Sequence, residues 1–325
     1  MTSLEQQLAK AKSDAEKAKL CLEAVKQDGF AFEYVPEKLR TEEICLEAVK
    51  TYGSGLQYVP EKLKTEEICL EAVKQDGSAL EYVPEKLRTK EICLEAVKSS
   101  VAIAALEYVP EKLRTKELCL EAVKQDGNSL QYVPEKLKTK KICLEAVKQK
   151  GSALNYVPEK LKTEEIRLEA VKTYGSALDD VPENLKTAEL CLEAVKQDGF
   201  ALKYVPEKFR TKELCLEAVK QDGNSLEYVP EKLKTKKICF EAIKQTGASM
   251  LPYVPEKFKT AELCLEAVKG DGDSLVNVPE KLRTEELCTE AIMVSWDKYS
   301  LLEHIPKALK PKMKKLIKKL EDEGY

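Results

Sequence analysis

TEEICLEAVKTYGSGLQYVPEKLK (41–64) is followed at once by TEEICLEAVKQDGSALEYVPEKLR (65–88), and this near-copy decides the fold. Self-similarity at a fixed short period marks a repeat architecture and takes precedence over any other reading of the chain. Outward from this pair, the cysteine position recurs at 21, 45, 69, 93, 119, 143, 167, 191, 215, 239, 264 and 288, and only Arg167 departs from cysteine. The step is 24 residues except after Cys93, where it is 26, and after Cys239, where it is 25. Twelve of the 14 prolines share one register, from Pro36 to Pro306. The segment Arg114–Leu144 returns 96 residues later as Arg210–Phe240 with two differences in 31 residues, a sign of growth by block copying.

Each unit reads as two helices. Thr41 is a capping residue, and Glu42 and Glu43 put negative charge in the first turn, where the helix dipole favours it. Ile44, Cys45, Ala48 and Val49 then fall on one face at helical spacing, with Leu46 on its flank and Glu47 and Lys50 opposite. Gly53 is expected to end this helix in a left-handed conformation; ten of the first eleven units keep that glycine and the fourth does not. A shorter helix follows, opened by Ser54, Ser78, Asn128 or Ser152, and carries Leu80, Tyr82 and Val83 in the third unit. Pro84 redirects the chain. Glu85, Lys86 and Leu87 add a turn, with Leu87 expected to point inward, before the next capping Thr89.

A 24-residue unit cannot bury its own apolar face, so the units must stack. The expected architecture is an all-α solenoid of about twelve two-helix repeats, a curved rod of roughly 110 Å at ~9–10 Å per unit. Residues 1–20 read as an N-terminal capping extension of the first helix, 21–287 as the repeat array, and 288–325 as a C-terminal cap with a basic amphipathic helix.

Composition narrows the class. Hydrophobic residues make up 43% and charged residues 34% with both signs mixed, which suits a folded chain. The net charge of −3 argues against general attraction to nucleic acid or anionic membrane. No stretch approaches the ~18 uninterrupted apolar residues of a membrane span, and the first residues lack the apolar core of a signal peptide. The cytoplasm is the expected compartment, and a monomer the expected state.

The string LEAVKQDGSALEYVPEKLRTKEICLEAVK (70–98) resembles a short helical repeat that occurs in many copies in bacterial proteins and is catalogued as a domain of unknown function. The likeness runs over about 20–300 and rests on the recurring pattern AVKxxGxALxYVPxxL. It implies an α-helical array and, by analogy with other solenoids, an interaction role. It brings no catalytic residues with it.

No catalytic, cofactor or metal site emerges from the residues themselves. A disulfide needs Cα atoms within about 7 Å, closer than stacked units bring equivalent cysteines. No Cys-x-x-Cys occurs and there is a single histidine, so normal zinc spacing is missing. The cysteines therefore read as small apolar filler in a reducing compartment. Phosphate-cradling glycine motifs and nucleophile elbows are absent too. The expectation is a scaffold or inhibitor that binds a protein partner through its concave surface and irregular repeats, and that is not an enzyme.

Two patterns could carry that binding. The tyrosine column, including Tyr82, Tyr108, Tyr132 and Tyr156, either packs between units with its hydroxyls at the edge or lines a groove. Mixed local charge favours packing. Otherwise specificity must come from residues that break the repeat: Ser99, Val101 and Ile103 in the irregular fourth unit, Arg167, Asp180, Met250, and Trp296 and His304 near the C-terminus. For Trp296, a place in the core of the cap is expected. Two other readings stand: sequestration of a small ligand or nucleotide in the superhelical groove, and nucleic-acid or membrane association through Lys307–Lys319. That same helix can instead cap the array with its apolar side.

Overall fold

The computed structural model describes residues 3–99 and 105–323. They divide into two compact units, Met1–Thr173 and Tyr174–Tyr325. Each is an α-solenoid stack, and no strand occurs among the described residues.

Every repeat opens as the sequence requires. In the first unit, helix Glu42–Thr51 starts where the Thr41 hydroxyl accepts the Ile44 N–H at 3.3 Å. Its partner Glu66–Gln75 starts in the same way on Thr65. The inward face is Ile44, Cys45, Ala48 and Val49, each at most 2% exposed, while Leu46 on the flank is half-buried. The second unit repeats this with Leu214, Cys215, Ala218 and Val219 in helix Lys212–Gln221. At about 25 cal/mol per Å² of apolar surface, four such side chains per unit supply the adhesion that no single unit could generate.

The second element is not an α-helix. Gly53–Tyr58 and most of its counterparts are six-residue 3₁₀ helices, shortened to four residues at Gly175–Leu178 and Ser300–Glu303 and replaced by a single α-turn at Ala105–Tyr108, and Glu61–Leu63 is a further single 3₁₀ turn. Only six residues separate the end of the capping turn from the Val-Pro corner, too few for a stable run of i→i−4 bonds. The tighter i→i−3 pattern closes instead, with Gly55 N–H on Tyr52 O at 2.9 Å and Val59 N–H on Leu56 O at 3.2 Å. The opening cap is also not the serine or asparagine. Asp76 accepts from the Ser78 N–H at 2.9 Å, and Asp126, Asp198, Asp222 and Asp271 do the same in their units.

The glycine has a different cause from the one the sequence suggested. Among the described glycines Gly247 alone has a positive φ, at 83°. At Gly29, Gly53, Gly127, Gly175, Gly199, Gly223 and Gly272 a backbone approaches instead. A Cβ on Gly53 would meet the Ala72 carbonyl oxygen at 2.5 Å, on Gly127 the Ala146 oxygen at 2.2 Å, and on Gly223 the Ala242 oxygen at 2.7 Å. Each 3₁₀ segment is thus pressed against the last turn of the following repeat's helix, and a side chain would hold them apart. Gly247 belongs to the one-residue insertion of the tenth repeat. There the left-handed reading holds, and Ala248 takes the buried position that glycine has elsewhere.

Two further expectations change. Leu87 is half-buried rather than inward, and of this series only Leu39 is buried. The N-terminal stretch is not one extension, because helix Ser3–Lys10 ends before a second helix, Asp14–Gln27, begins. Ser13 accepts the Glu16 N–H at 3.1 Å while Glu16 reaches back to the Lys12 N–H at 2.8 Å, a reciprocal cap that restarts the chain. Helix Lys310–Asp322, for its part, buries Met313, Ile317 and Leu320 and packs against Glu285–Val294, so its apolar side is used as a cap.

Candidate partner-binding surface

The tyrosines are held by their backbone as much as by their rings. Tyr82, Tyr108, Tyr132 and Tyr156 are half-buried, and Tyr132 also lines an open depression of about 560 Å³ with Arg114 and Lys136. A hydrogen bond to Glu107 and burial push the Tyr132 phenol up from its ordinary value; burial, then the nearby Glu81 charge, does the same at Tyr108. Each of those glutamates belongs to the preceding repeat, so the hydroxyls tie units together at the edge.

The carbonyl of each of these tyrosines accepts from a cation one repeat earlier. Arg88 Nη1 donates to Tyr108 O at 2.8 Å, Arg114 Nη1 to Tyr132 O at 2.8 Å, Lys64 Nζ to Tyr82 O at 3.0 Å and Lys138 Nζ to Tyr156 O at 3.0 Å. In the second unit Lys186, Arg210 and Lys234 repeat the contact on Tyr204, Tyr228 and Tyr253. The arginines do more: Arg114 also donates Nε to Val109 O at 2.9 Å and Nη2 to Glu107 O at 3.0 Å. A fork of donors on a rigid plane can clasp three carbonyls, where a lysine ammonium bridges one and pairs with a nearby glutamate such as Glu135. This position is always Lys or Arg just before the capping threonine, a periodic signal carried by the sequence itself.

The cysteines lie in the core as filler. All eleven are buried, and burial pushes the thiols of Cys45, Cys119 and Cys215 up to about 11. At neutral pH they are protonated and poorly nucleophilic. Among the described residues no His, Cys, Asp and Glu group could hold a metal ion. Arg167, in the cysteine's place, is mostly enclosed, with Nη2 3.9 Å from Glu159 and a buried Nε that has no partner.

The repeat-breaking residues do not converge on one place. Val101 and Ile103 lie outside the described residues. Ser99 ends helix Lys90–Lys98. Asp180 is exposed, but Met250 is only 6% exposed and faces the core, so it cannot present itself to a partner. His304 stands in for a tyrosine: its carbonyl accepts Arg283 Nη1 at 2.6 Å. Trp296 overturns the expected core position, for it is 99% exposed. It follows helix Glu285–Val294 in a segment where no further repeat residue packs over it.

What the structure offers as a surface is the flank of the α-helices. Leu192 and Leu216 follow the cysteines of their repeats, and Leu192 is 37% exposed. Between helices Ala188–Gln197 and Lys212–Gln221 lies a groove of about 450 Å³ lined by Ala188, Leu192, Lys196, Phe209, Leu214 and Glu217. Equivalent grooves recur in the same unit beside Phe240 and beside Leu265, which hold the same repeat position. Each has an apolar floor, with a rim of Lys and Glu beside Leu192 and Phe240 and of glutamate alone beside Leu265. The period of the sequence therefore produces a period of apolar notches, a feature that the half-apolar flank position hinted at without revealing its depth.

Comparison with known proteins agrees with the architecture. No curated protein matches the chain. A family model described as a domain of unknown function, DUF4116, matches residues 19–64, 65–114, 115–162, 163–210 and 211–259, each match spanning two of the 24-residue repeats. These matches cover most of the sequence in unbroken succession, and the chain is a member of the DUF4116 family.

Proposed function

We propose that this protein is a non-enzymatic repeat scaffold that binds a protein partner across the flanks of its α-helices. One observation supports it above the others: Leu192, Phe240 and Leu265 occupy one repeat position and each lines an apolar notch between successive helices. The residues facing inward are used for stacking, and the tyrosine edge is occupied by the cation clasp. The helix flank is what remains, and its apolar floor with a charged rim has the make-up of a protein interface. Specificity then comes from repeats whose flank differs, such as Phe240 for leucine. This places recognition on the regular array as well as on the exceptions, among which Asp180 stays accessible.

No helix among the described residues is long and apolar enough to cross a membrane. The test is affinity capture from lysate of the natural host with the parent chain and with a Leu192→Glu, Leu216→Glu pair. Both side chains are at least partly exposed, so the fold should hold, as circular dichroism will verify. The expected result is a stoichiometric partner retained by the parent and lost by at least about tenfold in the variant, the cost of a charge in an apolar contact. Equal recovery by both would sink the proposal.

A further inference from the structure

Four of the eleven exposed large apolar side chains lie within seven residues: Met293, Val294, Trp296 and Tyr299. Trp296 is the chain's one tryptophan. Tyr299 is anchored, donating its hydroxyl to Glu321 Oε2 at 3.1 Å, at the far end of the terminal helix Lys310–Asp322. The contacts Lys312–Glu285 and Thr289 Oγ1 to Met313 Sδ at 3.9 Å lay that helix parallel to Glu285–Val294. The C-terminal halves of both helices and the Trp296 segment therefore meet at one end.

The charge at that end has a definite sign. Over 297–323, Lys298, Lys307, Lys310, Lys312, Lys314, Lys315, Lys318 and Lys319 stand against five carboxylates, Asp297, Glu303, Glu321, Asp322 and Glu323, a net of +3 although the whole chain carries −3. Lys312 pairs with Glu285 and Lys319 with Glu323, but among the described residues Lys314, Lys315 and Lys318 have no ion pair. The apolar side of the helix is already spent on Met313, Ile317 and Leu320. Its lysines Lys314, Lys315, Lys318 and Lys319 are exposed, and the Tyr299–Glu321 bond brings the end that carries Lys318 and Lys319 to the apolar cluster.

We infer that this end of the molecule docks on an anionic lipid surface. An indole is at its best at the headgroup level, where its ring leaves water and its N–H stays hydrogen-bonded. Lysines beside it are drawn to acidic headgroups, and the two signals together give binding that neither gives alone. The aliphatic Met293 and Val294 fit an acyl boundary; they would gain little from nucleotide bases, which stack on aromatic faces.

Because the tryptophan is single, it reports directly. Full-length protein is mixed with vesicles of phosphatidylcholine alone or of three parts phosphatidylcholine to one part phosphatidylserine. Emission should shift to the blue only with the acidic vesicles and be quenched by lipids brominated in the acyl chains. In pelleting assays, Trp296→Ala should lower vesicle binding about tenfold, and Lys314→Gln with Lys315→Gln and Lys318→Gln should remove the preference for acidic lipid. All four side chains are exposed, so these variants keep the fold. Emission that does not move with acidic vesicles, or equal binding to both vesicle types, overturns the inference. So does pelleting that duplex DNA competes away while Trp296→Ala leaves it unchanged, which would assign the lysines to nucleic acid.

Discussion

Gly127→Ala is expected to destabilise the Met1–Thr173 unit by about 1–3 kcal/mol, the usual cost of overpacking a tight contact. The added methyl would sit 2.2 Å from the Ala146 carbonyl oxygen and 3.0 Å from Lys150 Cβ. A carbonyl in the last turn of a helix cannot swing aside as a flexible side chain can. The 3₁₀ segment Gly127–Tyr132 must lift away from the next repeat, opening the contact that buries Leu130 and Leu154. Gly127→Asn separates this cause from the alternative. Asparagine tolerates a left-handed backbone, so a left-handed glycine would accept it at small cost, whereas a crowded glycine must reject it more strongly than alanine. Urea unfolding of the three proteins decides the matter. If Gly127→Asn is as stable as the parent, the close-approach account fails. At Gly247 alanine and asparagine should both cost through the backbone alone, since nothing lies within 4 Å of its would-be Cβ while its φ of +83° with ψ of −153° is a region essentially closed to side chains.

Arg114→Met should cost about 2–4 kcal/mol, because several carbonyls lose a charged donor while the aliphatic packing of the stem is kept. The Tyr132 and Val109 oxygens are part of the repeat-to-repeat junction and lose their partners outright; the Glu107 oxygen lies in an exposed bond and can turn to water. Arg114→Lys should fall between parent and methionine, since Lys138 already shows that an ammonium in this position reaches Tyr156 O at 3.0 Å. Thermal unfolding of the two variants gives the ranking. A methionine variant as stable as the lysine one would mean that the clasp is only a surface decoration.

These two predictions mark where the sequence was legible and where it was not. Capping by Thr41 and burial of Ile44, Cys45, Ala48 and Val49 depend on neighbours three or four residues away, so their signals are local and periodic. The repeat and its all-α nature follow from the same locality. The glycine was ambiguous in principle: a left-handed turn and a close backbone approach select the same residue, and only the position of the next repeat's carbonyl tells them apart. The 3₁₀ geometry was hidden for a similar reason, because apolar spacing over six residues does not separate a three-residue from a 3.6-residue turn. The cation clasp looked like ordinary surface charge, since its acceptor is a backbone atom 18 residues away, as in Arg114 to Tyr132. Trp296 occurs once and has no repeat equivalent, so periodicity gave no basis for placing it. The notches beside Leu192, Phe240 and Leu265 arise from the gap between helices, which a single half-apolar position cannot disclose.

The most direct test of the scaffold account is amide hydrogen exchange on the Tyr174–Tyr325 unit within the intact chain, with and without the partner that the parent protein retains. The account predicts slowed exchange in helices Ala188–Gln197 and Lys212–Gln221, whose flanks form the Leu192 notch, with the 3₁₀ segment Gly199–Tyr204 little changed. Protection confined to the 3₁₀ and tyrosine edge, with those two helices unaffected, would contradict it.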